Sequence, residues 1–352
     1  MSTDDLGAML ARRALRLALG TAVCLAVSFG MQWPVPVMAP VLAVFLFASM
    51  DRPLAFRAGM GLALVVMLTT GSGMLLAPFL RHAPLAGVLM TGLCLFLAFR
   101  HGLRGGNNLV STFLVAGVTL ISAAGTASSA LALTVIGALV LGLLCAVLVL
   151  GISYQLIPER SGLHMPSKSN VVAENADGMA LRATLVVMPP FLLAMADPAA
   201  YLPIIMKAVS LGRQSCSTTA RGAALELVGS TLMGGVLAIL CWLALGLFVH
   251  LWMFFLWMLL FGLWVARRLF RLVPGTMSPG FWLNSLVTMI ILLGQSVADS
   301  AAGKDVYQAF LVRMELFIGL SLYAWLMIAL LDRRGGAARR SAPRQTVPRT
   351  SA

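Results

Sequence analysis

SSALALTVIGALVLGLLCAVLVLGIS, residues 128–153, carries no charged side chain. A helix needs about 20 mainly apolar residues, rising 1.5 Å each, to cross a hydrocarbon core of roughly 30 Å, and this run is longer than that. It reads as a membrane-spanning helix. Outward from it, apolar runs bounded by charge, Pro or Gly recur at 14–31, 34–50, 57–79, 83–99 and 107–125 on one side. On the other side they recur at 180–197, 200–216, 224–248, 250–266, 280–298 and 307–331. The pattern predicts an all-α polytopic membrane protein of about twelve spans. The eighth run is the weakest as a span, since Ala199 to Arg213 covers only roughly 21 Å of helix.

Composition excludes the soluble alternatives. Of 352 residues, 60% are hydrophobic and only 11% charged, with a mean hydropathy of +0.95; no soluble domain offers water so little polar surface. A net charge of +13 raises the question of nucleic acid. That reading needs basic residues gathered on a soluble face with aromatic or groove-fitting partners. Here they sit in short loops between apolar runs, so no nucleic-acid partner is expected and the lipid bilayer is the surface they meet. Cys24, Cys94, Cys145, Cys216 and Cys241 are scattered without a CxxC pair or a nearby His, so neither a metal nor another cofactor is expected. No phosphate-binding loop with its Lys is present, which argues against an ATP-driven pump. No nucleophile, base and orienting group occur together, which argues against an enzyme. The N-terminus, MSTDDLGAMLARRALR, places acidic residues before basic ones and is followed by no small-residue cleavage site, so a cleaved signal peptide is not expected.

Lys and Arg fall on alternate loops. With the N-terminus inside, one face collects nearly all of them, and the other holds only Arg81 and Lys304. The positive-inside rule then places both termini in the cytoplasm. The chain also reads as two copies. Pro40 followed by Arg57-Ala-Gly resembles Pro203 followed by Arg221-Gly-Ala, and Arg100 and Arg267 end the fourth run of each copy. Six spans per copy give the copies one orientation, two parallel repeats that imitate a dimer of six-span units. A homo-oligomer of the whole chain is compatible with that frame. The predicted organisation is a first repeat over 1–156, a cytoplasmic linker over 157–179, a second repeat over 180–332 and a basic, disordered cytoplasmic tail over 333–352.

The copies differ where chemistry would sit. YLPIIMKAVSLGRQSCSTTARGAALE, residues 201–226, places Lys207 inside an apolar segment and Glu226 at the foot of the next, whereas the first copy has no ionisable residue deep in a span. An ionisable group at membrane depth costs roughly 3 kcal/mol or more, so it is usually paired, wet or functional. Lys207 is a candidate to hold an anion, or else a side chain snorkelling to the head groups. Arg313, about two turns into the last span, is a candidate to fork onto a carboxylate or to neutralise a neighbouring Glu. Asn284 and Gln295 on the eleventh span are neutral polar candidates to join Lys207 and Arg313 in binding the substrate. Glu226 and Glu315 are the candidate proton-coupling carboxyls; the alternative for Glu226 is a surface ion pair with Arg221. Pro189-Pro190 should kink the seventh span and free backbone carbonyls that must face protein or water. The glycines around Gly59, Gly73 and Gly234 read as close helix packing.

RLALGTAVCLAVSFGMQWPVPVMAPVLAVFLFAS, residues 16–49, with its Arg-led first span, Trp-Pro loop and Pro-bearing second span, resembles the start of the fusaric acid resistance family of bacterial inner-membrane exporters. Arg221-Gly222 and Arg313 followed by Gly319 are similar to the second halves of that family. The resemblance implies a multi-pass protein of the bacterial inner membrane that exports small organic, chiefly aromatic, acids with a periplasmic membrane fusion protein as partner. Plant aluminium-activated malate channels are similar at the six-span level, which keeps a passive anion channel open, alongside a non-transporting subunit of an efflux complex. Family members carry a large cytosolic domain between the halves, where this chain has only the short linker.

Overall fold

The computed structural model describes residues 3–50, 56–158, 176–215 and 220–341. Among these there is no strand, and every apolar run is helical. We number the runs α1 (Thr3–Gly30), α2 (Met38–Ser49), α3 (Arg57–His82), α4 (Pro84–Leu103), α5 (Val110–Ala127) and α6 (Ser129–Leu156). The second set is α7 (Ala176–Ala196), α8 (Pro198–Ser215), α9 (Ala224–Leu247), α10 (Leu251–Leu269), α11 (Pro279–Ala301) and α12 (Val306–Ser341). Ten of them are long and apolar enough to cross a membrane, against the twelve that the sequence predicts.

The two exceptions are α2 and α8. α2 has only 12 residues, about 18 Å at helical rise. It starts at Met38 rather than at 34, since the prolines at 34 and 36 each remove a donor and disfavour α geometry in the residue before them. α8 has 18 residues, about 27 Å, but Lys207, Arg213 and Gln214 dilute its apolar character. The two short helices hold the same place in each set of six.

The helix pairings follow the same order in both sets. α1 lies on α10 and α7 lies on α4, so the first helix of each set packs against the fourth of the other. Within each set the first helix contacts the second, the second contacts the sixth and the third contacts the fifth. α2 leans across onto α11, and α8 onto α5. An exposed chelate spans one of these crossings, with Asp177 of α7 accepting from Arg100 at 2.7 Å and from Arg104 at 3.0 Å; solvent screens exposed pairs of this kind, so they add little to stability.

Close backbone approach sets the third-on-fifth crossings. A Cβ on Gly73 would lie 1.9 Å from the Gly117 carbonyl oxygen, and one on Gly234 would lie 2.7 Å from the Ser285 carbonyl oxygen. At the first crossing a 3₁₀ turn in α3, Ser72–Leu76, meets a π turn in α5, Gly117–Ile121. At the second, α9 opens on a π turn, Ala224–Gly229. α11 is the most enclosed of the spanning helices, 78% buried, and so forms the centre of the second set.

α7 runs unbroken through Pro189 and Pro190. Pro189 has no N–H to offer the carbonyl of Leu185 four residues earlier. The hydroxyl of Tyr323 on α12 donates to that oxygen instead, at 3.0 Å, so the freed carbonyl faces protein. α12 continues as helix to Ser341, past the boundary at 332 where the sequence predicts the tail to begin. Residues 342–352 of the expected tail and the linker residues 159–175 lie outside the described part.

Candidate functional site

Lys207 sits on the face of α8 turned towards α11 and is 0% exposed. A snorkelling side chain would reach the surface, so that alternative is set aside. Its Nζ donates to Asn284 Oδ1 at 3.1 Å and to Thr288 Oγ1 at 2.6 Å. Asn284 and Thr288 are four residues apart on α11, hence on one face. Among the described residues no carboxylate lies within ion-pair distance of Lys207, so its polar partners are neutral.

The partners are themselves held. Asn284 Nδ2 donates to Ser230 Oγ at 2.6 Å, and Ser210 Oγ donates to Asn284 Oδ1 at 3.3 Å. Thr288 Oγ1 donates back to the Asn284 carbonyl at 2.6 Å. Ser230 follows the π turn of α9 and bonds the Glu226 carbonyl oxygen. The Glu226 carboxylate, half-buried, accepts from the hydroxyl of Ser278, the N-cap of α11. Glu226 is thus tied to the mouth of α11. The Arg221 side chain, its expected partner, lies outside the described residues. Hydrogen bonds and one backbone step connect Glu226 to Lys207 through Ser230 and Asn284.

At the far end of α11, Arg313 of α12 pairs with Asp299, whose side chain is 7% exposed. The sequence offers a neighbouring Glu as the carboxylate that Arg313 neutralises; the structure supplies Asp299 instead. Asp299 escapes the sequence reading because the predicted span stops at 298, whereas α11 runs to Ala301. Gln295 is half-buried on the same helix and makes no side-chain hydrogen bond among the described residues. Glu315 is exposed on α12 and is not brought to Lys207 or to Arg313. Asn284, Thr288, Gln295 and Asp299 are spaced by four, seven and four residues, which puts them on one stripe of α11 at helical period. The stripe rises about 22 Å from first to last.

In the first set the corresponding place is apolar. Counting four residues from Pro40, as Lys207 stands four from Pro203, gives Val44, which is buried. Among the described residues, two further cations are buried that loop counting assigns to the membrane edge. Arg16 on α1 lies 4.0 Å from the ring centre of Tyr154 on α6, and Arg182 on α7 donates to the Ser215 carbonyl, which ends α8. Both fix helix ends. Neither lies on the α11 stripe.

Residues 13–152, the first set of helices, match a family described as "Protein of unknown function (DUF2955)". No curated protein matches the chain. No solved structure matches it either. The Lys207 site lies wholly outside the matched segment, in the second set.

Proposed function

We propose that this protein is a secondary transporter that exports small organic anions, chiefly aromatic acids, across a bacterial inner membrane. The observation that carries the proposal is Lys207, enclosed in a membrane bundle with hydroxyl and amide partners only. Withdrawing an ammonium from water costs several kcal/mol, and a folded chain normally offsets this with a carboxylate. Here the counter-charge is left for a ligand. An anion arriving at Lys207 would meet the donor it needs, flanked by the polar stripe of α11 that leads towards Arg313. Arg313 is already engaged with Asp299, so its role is to hold or release that carboxylate as the anion passes, and Gln295 lies between the two charged positions.

Glu226 is the carboxyl best placed to couple transport to protons. It occupies a π turn, a local irregularity found often at functional sites; its main-chain carbonyl is tied to Lys207 through Ser230 and Asn284, while its carboxylate accepts from Ser278 at the start of α11. Glu315 would serve only from the outer face of α12. The resemblance of residues 16–49 to the fusaric acid resistance exporters supports the substrate class, the inner-membrane location and a membrane fusion protein as partner, and the partition of Lys and Arg over the loops supports both termini in the cytoplasm.

The test is flux in proteoliposomes. Purified protein with an imposed proton gradient should drive saturable movement of radiolabelled 4-hydroxybenzoate that a protonophore abolishes. Saturable flux that ignores the gradient would refute the coupling, and ohmic current in a planar bilayer would favour a passive anion channel instead.

A further inference from the structure

A crevice of about 200 Å³ opens between the end of α10 and the start of α11, lined by Arg268, Arg271, Pro274, Thr276, Met277 and Trp282 with their neighbours. α10 ends in a Schellman motif. The Arg271 N–H donates to the Arg268 carbonyl at 3.1 Å, and the Leu272 N–H donates to the Arg267 carbonyl at 2.8 Å. The motif places Arg271 at φ 57°, the left-handed position that glycine usually fills. A side chain with a Cβ costs roughly 1–2 kcal/mol there, so the chain accepts strain to keep an arginine at this point. The Arg271 side chain is exposed and makes no ion pair or hydrogen bond among the described residues.

Arg268, half-buried, is stacked rather than paired. Its guanidinium carbon lies 3.9 Å from the ring centre of Trp264 and 5.0 Å from that of Trp282, and the two indoles meet edge to face with centroids 5.5 Å apart. Stacking holds the plane of the guanidinium and leaves its edge donors free to fork onto an oxyanion. Among the described residues no carboxylate pairs with either arginine. Two like charges therefore flank the crevice, one in a fixed plane and one in a strained backbone position.

We infer that this crevice binds a compact aromatic carboxylate, with Arg268 and Arg271 on the carboxylate, the Thr276 hydroxyl as a further donor and Trp282 against the ring. Ligand pockets usually enclose about 300–1,000 Å³; the smaller volume here suits a single ring. The site is separate from Lys207, which meets α11 from the side of α8, whereas Trp282 faces α10. It deepens the exporter reading, on which its biological role rests, by naming a first contact for the substrate on the basic, cytoplasmic face.

The experiment measures equilibrium binding of radiolabelled benzoate to the full chain in nanodiscs of phosphatidylcholine. Every protein carries Lys207→Met, so that a failure of the central site cannot pass for a failure of this one. Saturable binding should persist in that parent. Arg271→Gly should weaken it about tenfold or more, while the unfolding midpoint stays equal or rises, since glycine relieves the strained position. Arg271→Lys should fall between, and Arg268→Gln should weaken binding as well. No benzoate binding in the Lys207→Met parent, or unchanged affinity in Arg271→Gly, would overturn the inference. Displacement by equimolar inorganic phosphate, or loss of benzoate binding in discs containing phosphatidylglycerol, would also overturn it and assign the crevice to phosphate groups or lipid heads.

Discussion

Asn284→Leu should be costly only while Lys207 is present. In the native protein, Asn284 Oδ1 is one of the two acceptors that Lys207 Nζ reaches, at 3.1 Å, beside Thr288 Oγ1 at 2.6 Å. A hydrogen bond to a charged group contributes about 1.5–3 kcal/mol, and stripping it from an enclosed ammonium leaves that desolvation uncompensated. Asn284→Leu should therefore destabilise by about 2–3 kcal/mol. Lys207→Met behaves differently. The acceptors it abandons keep other partners, because Ser210 Oγ still reaches Asn284 Oδ1 and Thr288 Oγ1 still donates to the Asn284 carbonyl. With the charge gone and no polar atom orphaned, stability should hold or rise by up to about 1 kcal/mol. Adding Asn284→Leu to Lys207→Met should then cost less than about 1 kcal/mol, so the double-mutant cycle closes with a coupling of at least about 1–2 kcal/mol. Unfolding of the four proteins by denaturant titration in bicelles, read by circular dichroism, measures each corner. Additive costs, or a clear destabilisation by Lys207→Met alone, would refute the claim that the lysine is an enclosed charge relying on Asn284.

Asp299→Asn should lower stability by about 3 kcal/mol, since it strands the Arg313 guanidinium, and the double substitution Asp299→Leu with Arg313→Met should recover most of that loss in the same assay. Tyr323→Phe should cost about 1–2 kcal/mol by orphaning the Leu185 carbonyl. The cost should largely vanish in a Pro189→Ala background, where the restored N–H takes the oxygen back, and an equal cost in both backgrounds would contradict that account.

Hydropathy makes the helical frame legible, because length and charge spacing are local properties of the chain. The ends of helices are less so. Asp299 belongs to α11 rather than to a loop, and a single carboxylate at the end of an apolar run reads equally well as either. Arg16 and Arg182 count as loop charges by position yet lie buried, against Tyr154 and the Ser215 carbonyl, since partners from distant helices enclose them. Lys207 stands out at once as a charge where none should be. Its partner Thr288 does not, because a threonine in a membrane helix bonds its own turn as a rule and carries no mark of a second contact. The stripe of Asn284, Thr288, Gln295 and Asp299 was available as a spacing pattern. What no spacing reveals is that α8 covers the Asn284–Thr288 end of that stripe, a contact some 77 residues apart in the chain, while Arg313 of α12 covers the Asp299 end.

The most direct measurement is the rate of 4-hydroxybenzoate export in Lys207→Met and Lys207→Arg, normalised to folded protein in the membrane. Lys207→Met keeps most of the apolar stem and removes the charge, so the rate should fall at least tenfold with abundance near wild type. Lys207→Arg keeps the charge in a different donor geometry and should retain partial activity. A wild-type rate in Lys207→Met would contradict the central role of this lysine.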